Sequence, residues 1–310
     1  MEGKIVAVCT AAGRGQKQPV PRLCLVRSHG VEGDVHAGTW HRQISLLADE
    51  QIDELRGRGL ALAPGAFGEN LVTRGIDLEA LEVGRRLRVG ERAVIQLTQR
   101  GKECHTPCAI YHEVGDCIMP RVGLFARVRR GGEVAPGDVV ATDPALDEVR
   151  YAVITVSDRG ARGEREDRAG PVADELLVGA LRGHRIAAVV LPDEREALEP
   201  ELRRLCDDEI CDLVLTAGGT GLSPRDVTPE ATLAVIDREV PGMAEAMRAA
   251  GLAHTPHAML SRGVCGLRGQ TLIVNLSGSP KAVREQLEAL LPALPHALQT
   301  VTGIPRDCAR

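Results

Sequence analysis

Two stretches of the chain gather residues whose types and spacing can do chemistry. The first is "DLVLTAGGTGLSPRDVTPEAT", residues 212–232. Here an apolar run enters Gly218-Gly219-Thr220-Gly221. Glycines at the carboxyl end of a strand let backbone N–H groups come close to an anion, as phosphate binding requires. The two commonest phosphate fingerprints do not fit. A Walker loop needs Gly-Lys-Ser/Thr and no lysine is present, while the dinucleotide pattern needs a glycine where Pro224 stands. Asp226 follows, and Pro229-Glu230 is expected to open a helix with Thr228 as its N-cap. Taken alone, such a turn also reads as an ordinary strand-to-helix connection. The second stretch, residues 101–120, places Cys104, Cys108 and Cys117 beside His105 and His112. An iron–sulfur loop of the C-x3-C-x2-C type would need a third cysteine where Tyr111 stands. A zinc site needs paired short spacings, and only one short pair exists. A structural metal site is therefore the lesser expectation beside a buried, packed cysteine.

The elements that must position these residues differ between the two halves. Up to about Asp143, short apolar runs (Ile5–Cys9, Leu23–Val26, Ile44–Leu47, Leu71–Thr73, Val94–Thr98, Val139–Ala141) are separated by Gly, Asp and Arg, a pattern that predicts an all-β barrel or sandwich. One helix is expected at Asp49–Arg56, a closing hairpin at residues 132–140, and a polar linker at residues 143–149. From Tyr151 onward, strands at Tyr151–Val156, Ile186–Leu191, Asp212–Thr216 and Leu272–Leu276 alternate with helical patterns. These helices are expected at residues 172–181, 198–205, 232–236, 243–252 and 281–291. Such alternation predicts a three-layer α/β domain with a mostly parallel sheet. The expected domains are residues 1–146 and 147–310.

Composition narrows the partners. The 310 residues carry a net charge of −5 and only five aromatic side chains, so neither nucleic acid nor an anionic membrane is an expected partner. No apolar run reaches the length of a transmembrane helix. Nine scattered cysteines do not form a disulfide framework, and the reducing cytoplasm is the expected compartment.

The second half resembles the molybdopterin-binding enzymes of the Mog/MoaB type, whose signature runs T-x-GGTG-x-x-x-RD-x-TPEA. Beyond that stretch, "ITVSDR" (154–159), "EDRAGP" (166–171), "LPDE" (191–194), "REVPGMAEAMR" (238–248), "LSR" (260–262) and "NLSGSPKAV" (275–283) carry the likeness in the same order. Ser277 stands where the family often has proline. The resemblance implies adenylylation of molybdopterin by ATP with Mg²⁺. It places Asp193 and Asp226 as the catalytic, Mg²⁺-binding carboxylates, with a helix N-cap and a turn cap as their ordinary alternatives. Gly218, Gly219, Thr220, Gly221 and Ser223 would cradle phosphate, and Ser157, Asp158, Gly278 and Ser279 would line the pocket. Lys281 would either neutralise phosphate or sit solvated on a first helical turn. Proteins of the competence-damage-inducible (CinA-like) type, which act on nucleotide pyrophosphates, share this fold and are the alternative. A carrier that holds molybdopterin without catalysis is another.

The first half resembles MOSC domains, β-barrels related to the C-terminal part of molybdenum-cofactor sulfurase. "GVEGDVHAG" (30–38), "RQISLLADE" (42–50), "FGENLVTRGIDLEALEVGRRLRVG" (67–90) and "TPC" (106–108) carry that likeness. It implies that Cys108 is a molybdenum ligand or sulfur carrier, and that His36, Arg42 and Asn70 hold a bound molybdenum cofactor or shape its pocket. Cys104 and Cys117 depart from the generic pattern and compete for the role. Two resemblances that converge on one cofactor imply a cytoplasmic protein of molybdenum-cofactor biosynthesis. Its expected partners are a molybdenum insertion protein, a sulfur donor or a molybdoenzyme, and it is expected to form a trimer or larger homo-oligomer.

Overall fold

The computed structural model describes residues 1–102, 111–112, 115, 117–181 and 183–302. Cys104, His105 and Cys108 lie outside the described residues. The chain forms two compact units, Met1–Asp147 and Glu148–Thr302.

In the first unit, strands β1 (Glu2–Thr10), β5 (Ile44–Ala48), β6 (Leu71–Arg74), β7 (Arg86–Val89), β8 (Ala93–Arg100), β9 (Leu124–Arg130) and β11 (Val139–Thr142) follow one another in the order β11-β7-β8-β9-β5-β6-β1. Pairing of Glu2–Lys4 with Val139–Ala141 closes that order into a seven-stranded barrel. Closure removes the exposed edges that an open sheet would leave. Strand β1 is long enough to serve three neighbours, since β2 (Gln18–Val20) pairs with its far end. A smaller sheet combines β3 (Leu23–Val26), β4 (Gly30–Val31) and β10 (Gly132–Val134). Side chains alternate between two cores. Leu46, Leu71 and Leu97 fill the barrel, whereas Leu47 and Val72 pack outside it against Ile52 and Leu55 of helix α1 (Asp49–Arg56). That helix makes the crossover that lets β5 and β6 run parallel.

Three local expectations are corrected. Residues 132–140 are not a hairpin: β10 pairs with β3, and β11 pairs with β7 and β1. The stretch 143–149 is not a free linker. It contains helix α3 (Pro144–Asp147), which follows helix α2 (Met119–Val122), buries Leu146, and ties Asp147 to Arg85 at 2.7 Å and to the Arg86 N–H at 3.1 Å. Thr228 is not an N-cap acceptor: its helix, α7 (Thr228–Leu233), begins four residues earlier than the apolar spacing suggested. The hydroxyl donates instead to the Gly218 carbonyl at 2.9 Å.

The second unit is a six-stranded sheet in the order β13-β12-β14-β17-β16-β15. Its four parallel strands are β12 (Val149–Val156), β13 (Gly183–Leu191), β14 (Leu213–Ala217) and β17 (Thr271–Leu276). β16 (Cys265–Arg268) and β15 (Arg238–Glu239) add an antiparallel edge. Alternation again sorts two cores. Val153, Leu215 and Val274 meet the helices α5 (Ala169–Leu181), α8 (Pro241–Leu252) and α9 (Pro280–Leu290). Ile154, Val214 and Ile273 meet α6 (Arg195–Asp207) and α7. Helices α4 (Asp158–Ala161) and α10 (Leu294–Val301) complete the unit. Central strands buried on both faces read as unbroken apolar runs, which is why they were legible.

We propose that the two units unfold independently. Trp40, the single tryptophan, belongs to the first. Leu46→Ala, which empties a fully buried position, should move the Trp40 fluorescence transition in urea by about 2–5 kcal/mol. Leu215→Ala should move only the part of the far-ultraviolet dichroism transition that Trp40 does not report. An equal shift of the Trp40 transition by both variants would contradict independence.

Candidate functional site

In the second unit, β12 lies between β13 and β14, so successive connections leave it toward opposite sides. Ligands of open α/β sheets bind at that switch point, outside the carboxyl ends of the strands. A cleft of about 640 Å³ opens there, lined by Ser157 after β12, Asp193 after β13, Gly218–Gly221 after β14, and Gly278 and Ser279 after β17. The glycines answer a steric demand. Gly218 and Gly219 have φ of 117° and 61°. A Cβ on Gly218 would stand 2.3 Å from the Val156 carbonyl, and one on Gly219 would stand 3.0 Å from an Asp193 carboxylate oxygen. Gly221 similarly makes room for the Asp226 carboxylate, 2.9 Å from where its Cβ would stand.

Asp193 and Asp158 exchange bonds: Asp193 accepts from the Asp158 N–H at 2.9 Å, and Asp158 accepts from the Asp193 N–H at 3.1 Å. Arg225 grips Asp158 with two nitrogens at 3.1 and 2.7 Å, which holds its carboxyl below the usual range. Burial pushes the Asp193 carboxyl up, and the negative charges of Asp158 and Asp226 add to the rise. Asp226 accepts from the Ser223 N–H at 2.9 Å, which fixes its loop. The N-terminus of α9 faces the cleft, with Ser279 capping the Ala282 N–H at 3.2 Å. Ser157 caps α4 by accepting from Gly160 N–H at 3.1 Å. Lys281 lies outside the cleft lining with a side chain 78% exposed, 3.7 Å from Glu285.

Sequence reasoning named no role for several residues that matter here. Arg165 and Arg168 line the cleft together with Glu166 and Asp167, and Arg168 pairs with Glu166 at 3.3 Å. Arg262 donates to the carbonyls of Gly221 at 2.7 Å and Asp226 at 2.5 Å and also pairs with Glu230, so it clamps the glycine loop from below. The short matches "EDRAGP" and "LSR" surround them, and only the fold shows what the arginines touch. Thr155, also in the lining, buries a hydroxyl with no hydrogen-bond partner.

A cavity of about 580 Å³ in the first unit brings together His36, Arg42 and Asn70. Protein partners engage both ends of the Asn70 amide. Its nitrogen donates to the Cys9 carbonyl and to Asp34, each at 3.0 Å, and its oxygen accepts from Ser45 N–H and Oγ at 3.2 and 3.1 Å. It shapes the wall. The Arg42 guanidinium lies 4.8 Å from the Trp40 ring centre and 5.7 Å from that of Phe125, and its Nε is buried without a partner among the described residues. Cys117 is packed among Cys9, Phe67 and Met119, the surroundings of an inert thiol. Burial also pushes the Cys9 thiol up to about 12. Among the described residues no group of three or more His, Cys, Asp or Glu side chains is arranged to hold a metal. No described helix is long and apolar enough to cross a membrane.

Comparison with known proteins agrees with this division. A family described as a probable molybdopterin binding domain matches residues 152–296, and the MOSC domain family matches residues 33–141. The molybdopterin adenylyltransferase of Helicobacter pylori (strain J99) is 41% identical over 162 residues, which cover 51% of this chain and 90% of that protein. That of Escherichia coli (strain K12) is 44% identical over 149 residues, 48% of this chain and 76% of that protein. Among solved structures, the molybdopterin biosynthesis enzyme MoaB from Thermus thermophilus shares 55% identity, covering 51% of this chain and 98% of that one, with a TM-score of 0.48.

The raised Asp193 carboxyl has a consequence for stability. A carboxyl whose pKa is higher folded than unfolded favours the native state while protonated, and that contribution disappears as pH rises through the folded pKa. Asp193→Asn, which keeps an acceptor for the Asp158 N–H, should raise the melting temperature at neutral pH and remove the loss of stability that occurs as pH rises from the ordinary aspartate value through the raised Asp193 value. Thermal unfolding of the ligand-free chain checks this. A lower melting temperature than wild type at neutral pH would show that Asp193 is a stabilising cap instead.

Proposed function

The chain belongs to the molybdopterin-binding domain family over its C-terminal half and carries a MOSC domain in its N-terminal half; from that premise we propose that its second unit adenylylates molybdopterin with ATP. Work in molybdenum-cofactor biosynthesis follows from both families together. The observation that carries the reaction is the convergence of Asp193, Asp226 and the Gly218–Gly221 backbone on one cleft at the strand ends.

A terminal phosphate oxygen of molybdopterin attacks the α-phosphorus of ATP. The new P–O bond joins AMP to the pterin, the bond to the β-phosphate breaks, and pyrophosphate leaves. Each reactant is an anion, so the site must offset charge without supplying a covalent partner. Backbone N–H groups of residues 219–221 and the positive end of α9 meet phosphate oxygens, while the Gly218 N–H stays bonded to the Leu276 carbonyl at 3.0 Å, and Arg165 in the cleft lining neutralises more charge. Mg²⁺ accompanies ATP as part of the substrate, and Asp193 and Asp226 are the carboxylates that would hold it. The residues fit that duty: a buried carboxyl pressed by two anionic neighbours is relieved by a cation, and Mg²⁺ takes one or two carboxylates and keeps its waters. The unpartnered Thr155 hydroxyl gives the floor of the cleft one further polar group for the ligand.

The cavity of the first unit handles the sulfur or the finished cofactor. Arg42 meets an anionic group there, His36 faces the ligand and Asn70 holds the wall, with Cys108 as the thiol that ligates molybdenum or carries sulfur. The protein works in the cytoplasm, as a homo-oligomer of three or more chains, and passes its product to a molybdenum insertion protein or a molybdoenzyme.

Asp226→Asn removes a charge with little change of shape and preserves an acceptor for the Ser223 N–H. Pyrophosphate release in the presence of molybdopterin, ATP and Mg²⁺ should fall by about 10²-fold or more, or about 2.7 kcal/mol of transition-state stabilisation. Molybdopterin binding should survive. Full turnover in both Asp226→Asn and Asp193→Asn would remove these carboxylates from the mechanism.

A further inference from the structure

At the cavity of the first unit lies a buried polar network centred on Asp34. Asp34 is buried, its side chain 1% exposed, and its oxygens divide their work. Oδ2 accepts from Lys17 Nζ at 2.6 Å, from the Asn70 amide at 3.0 Å, and from Thr10 Oγ1 and the Ala11 N–H at 3.3 Å. Oδ1 accepts from the His36 N–H at 2.9 Å and stands 3.3 Å from His36 Nδ1. Burial alone would raise the Asp34 carboxyl, but the hydrogen bonds from His36 and Lys17, together with the Lys17 charge, carry it well below the usual range. An ionised Asp34 accepts only. Nδ1 must therefore carry a proton, which leaves Nε2 as the working nitrogen of the imidazole. Trp40 Nε1 donates to the His36 carbonyl at 2.7 Å and pins the same turn. The His36 side chain is 39% exposed and lines the cavity, whose other charged groups are Arg14, Arg42 and Lys102.

We propose that His36 is the proton-transfer residue of this cavity, acting through Nε2 on an anionic ligand held by Arg42, with Asp34 as its positioning residue and Lys17 bonded to Asp34 from behind. The proposal rests on the reading that the barrel cavity is a working ligand site, and it assigns that site an acid–base step. In the forward direction the Nε2–H bond breaks and the proton bonds to a basic atom of the ligand. The imidazolium becomes neutral with Nδ1 still protonated, the ligand loses one unit of negative charge, and Asp34 stays ionised. In reverse, the same nitrogen takes the proton back. The three cations favour an anion at this place, and the arrangement follows the general logic of an imidazole oriented by a buried carboxylate.

The test is nitrogen NMR of the full chain labelled with ¹⁵N-histidine, His36 being assigned by the signals that His36→Gln removes. Neutral His36 is expected in the Nδ1–H form, with Nε2 bare. Adding inorganic phosphate as the probe anion should hold His36 protonated to higher pH, and Arg42→Gln should abolish that response. Asp34→Asn should return His36 to a mixture of tautomers. Because that variant leaves Lys17 buried without its partner, Lys17→Met combined with Asp34→Asn is measured beside it, with the same outcome expected. A native His36 in the Nε2–H form overturns the proposal, while the cavity reading survives if, in a second sample labelled with ¹⁵N-arginine, phosphate perturbs the side-chain signal that Arg42→Gln removes. An Nδ1–H form that phosphate leaves unmoved overturns both.

Discussion

At the carboxyl ends of β12 and β14 there is no room for a Cβ at residue 218, where the Val156 carbonyl stands 2.3 Å from the place a methyl would take. The arrangement of the second unit depends on that contact. It brings the loop backbone against the sheet, lets Gly219 lie under the Asp193 carboxylate, and allows Thr228 to bond the Gly218 carbonyl from the next helix. Arg262 then locks the far side of the loop through two carbonyls. The loop is thereby fixed before any ligand binds, which is the preorganisation that the proposed phosphate-binding role requires. The arrangement has an electrostatic cost: Asp193 is partly buried, and the negative charges of Asp158 and Asp226 add to the burial that pushes its carboxyl up.

The first unit solves a different problem with the same economy of means. A barrel of seven strands leaves little space inside, so its cavity forms beside the barrel, between the turn that carries His36 and the side chains of Phe67 and Phe125. Polar groups at the bottom of that cavity are satisfied before any ligand enters: Asp34, Lys17, Asn70 and Ser45 bond one another. Arg42 is the exception. Its guanidinium lies 4.8 Å from the Trp40 ring centre and 5.7 Å from that of Phe125, and its Nε has no partner among the described residues.

Much of this was readable in the residues, and the failures have physical causes. The parallel strands of the second unit were found because burial on both faces gives plain apolar runs such as Leu213–Thr216. Strand β9 was missed because its sequence, LFARVRR, carries three arginines among barrel-facing Leu124, Ala126 and Val128. One of them, Arg127, reaches out to the carbonyls of Thr39 and Trp40. The supposed hairpin at residues 132–140 failed because local turn signals say nothing of distant partners, and β3 and β7 compete successfully for both arms. For the sites, resemblance brought forward residues that the fold gathers, among them His36, Arg42 and Asn70 on one wall. It did not show that protein partners engage both ends of the Asn70 amide, that Lys281 points to solvent, or that Asp34 stands behind His36. Those are facts of hydrogen bonding between residues far apart in sequence. Cys108, outside the described residues, keeps its role as a proposal from the sequence.

The central claim is a phosphoanhydride formed between molybdopterin and AMP at the Asp193–Asp226 cleft. Phosphorus NMR of the products made by the full chain from molybdopterin, ATP and Mg²⁺ tests it most directly. The account predicts paired signals of a new phosphoanhydride diester appearing in step with pyrophosphate. ADP with orthophosphate, free AMP without the pterin adduct, or unchanged ATP beside bound molybdopterin would contradict it.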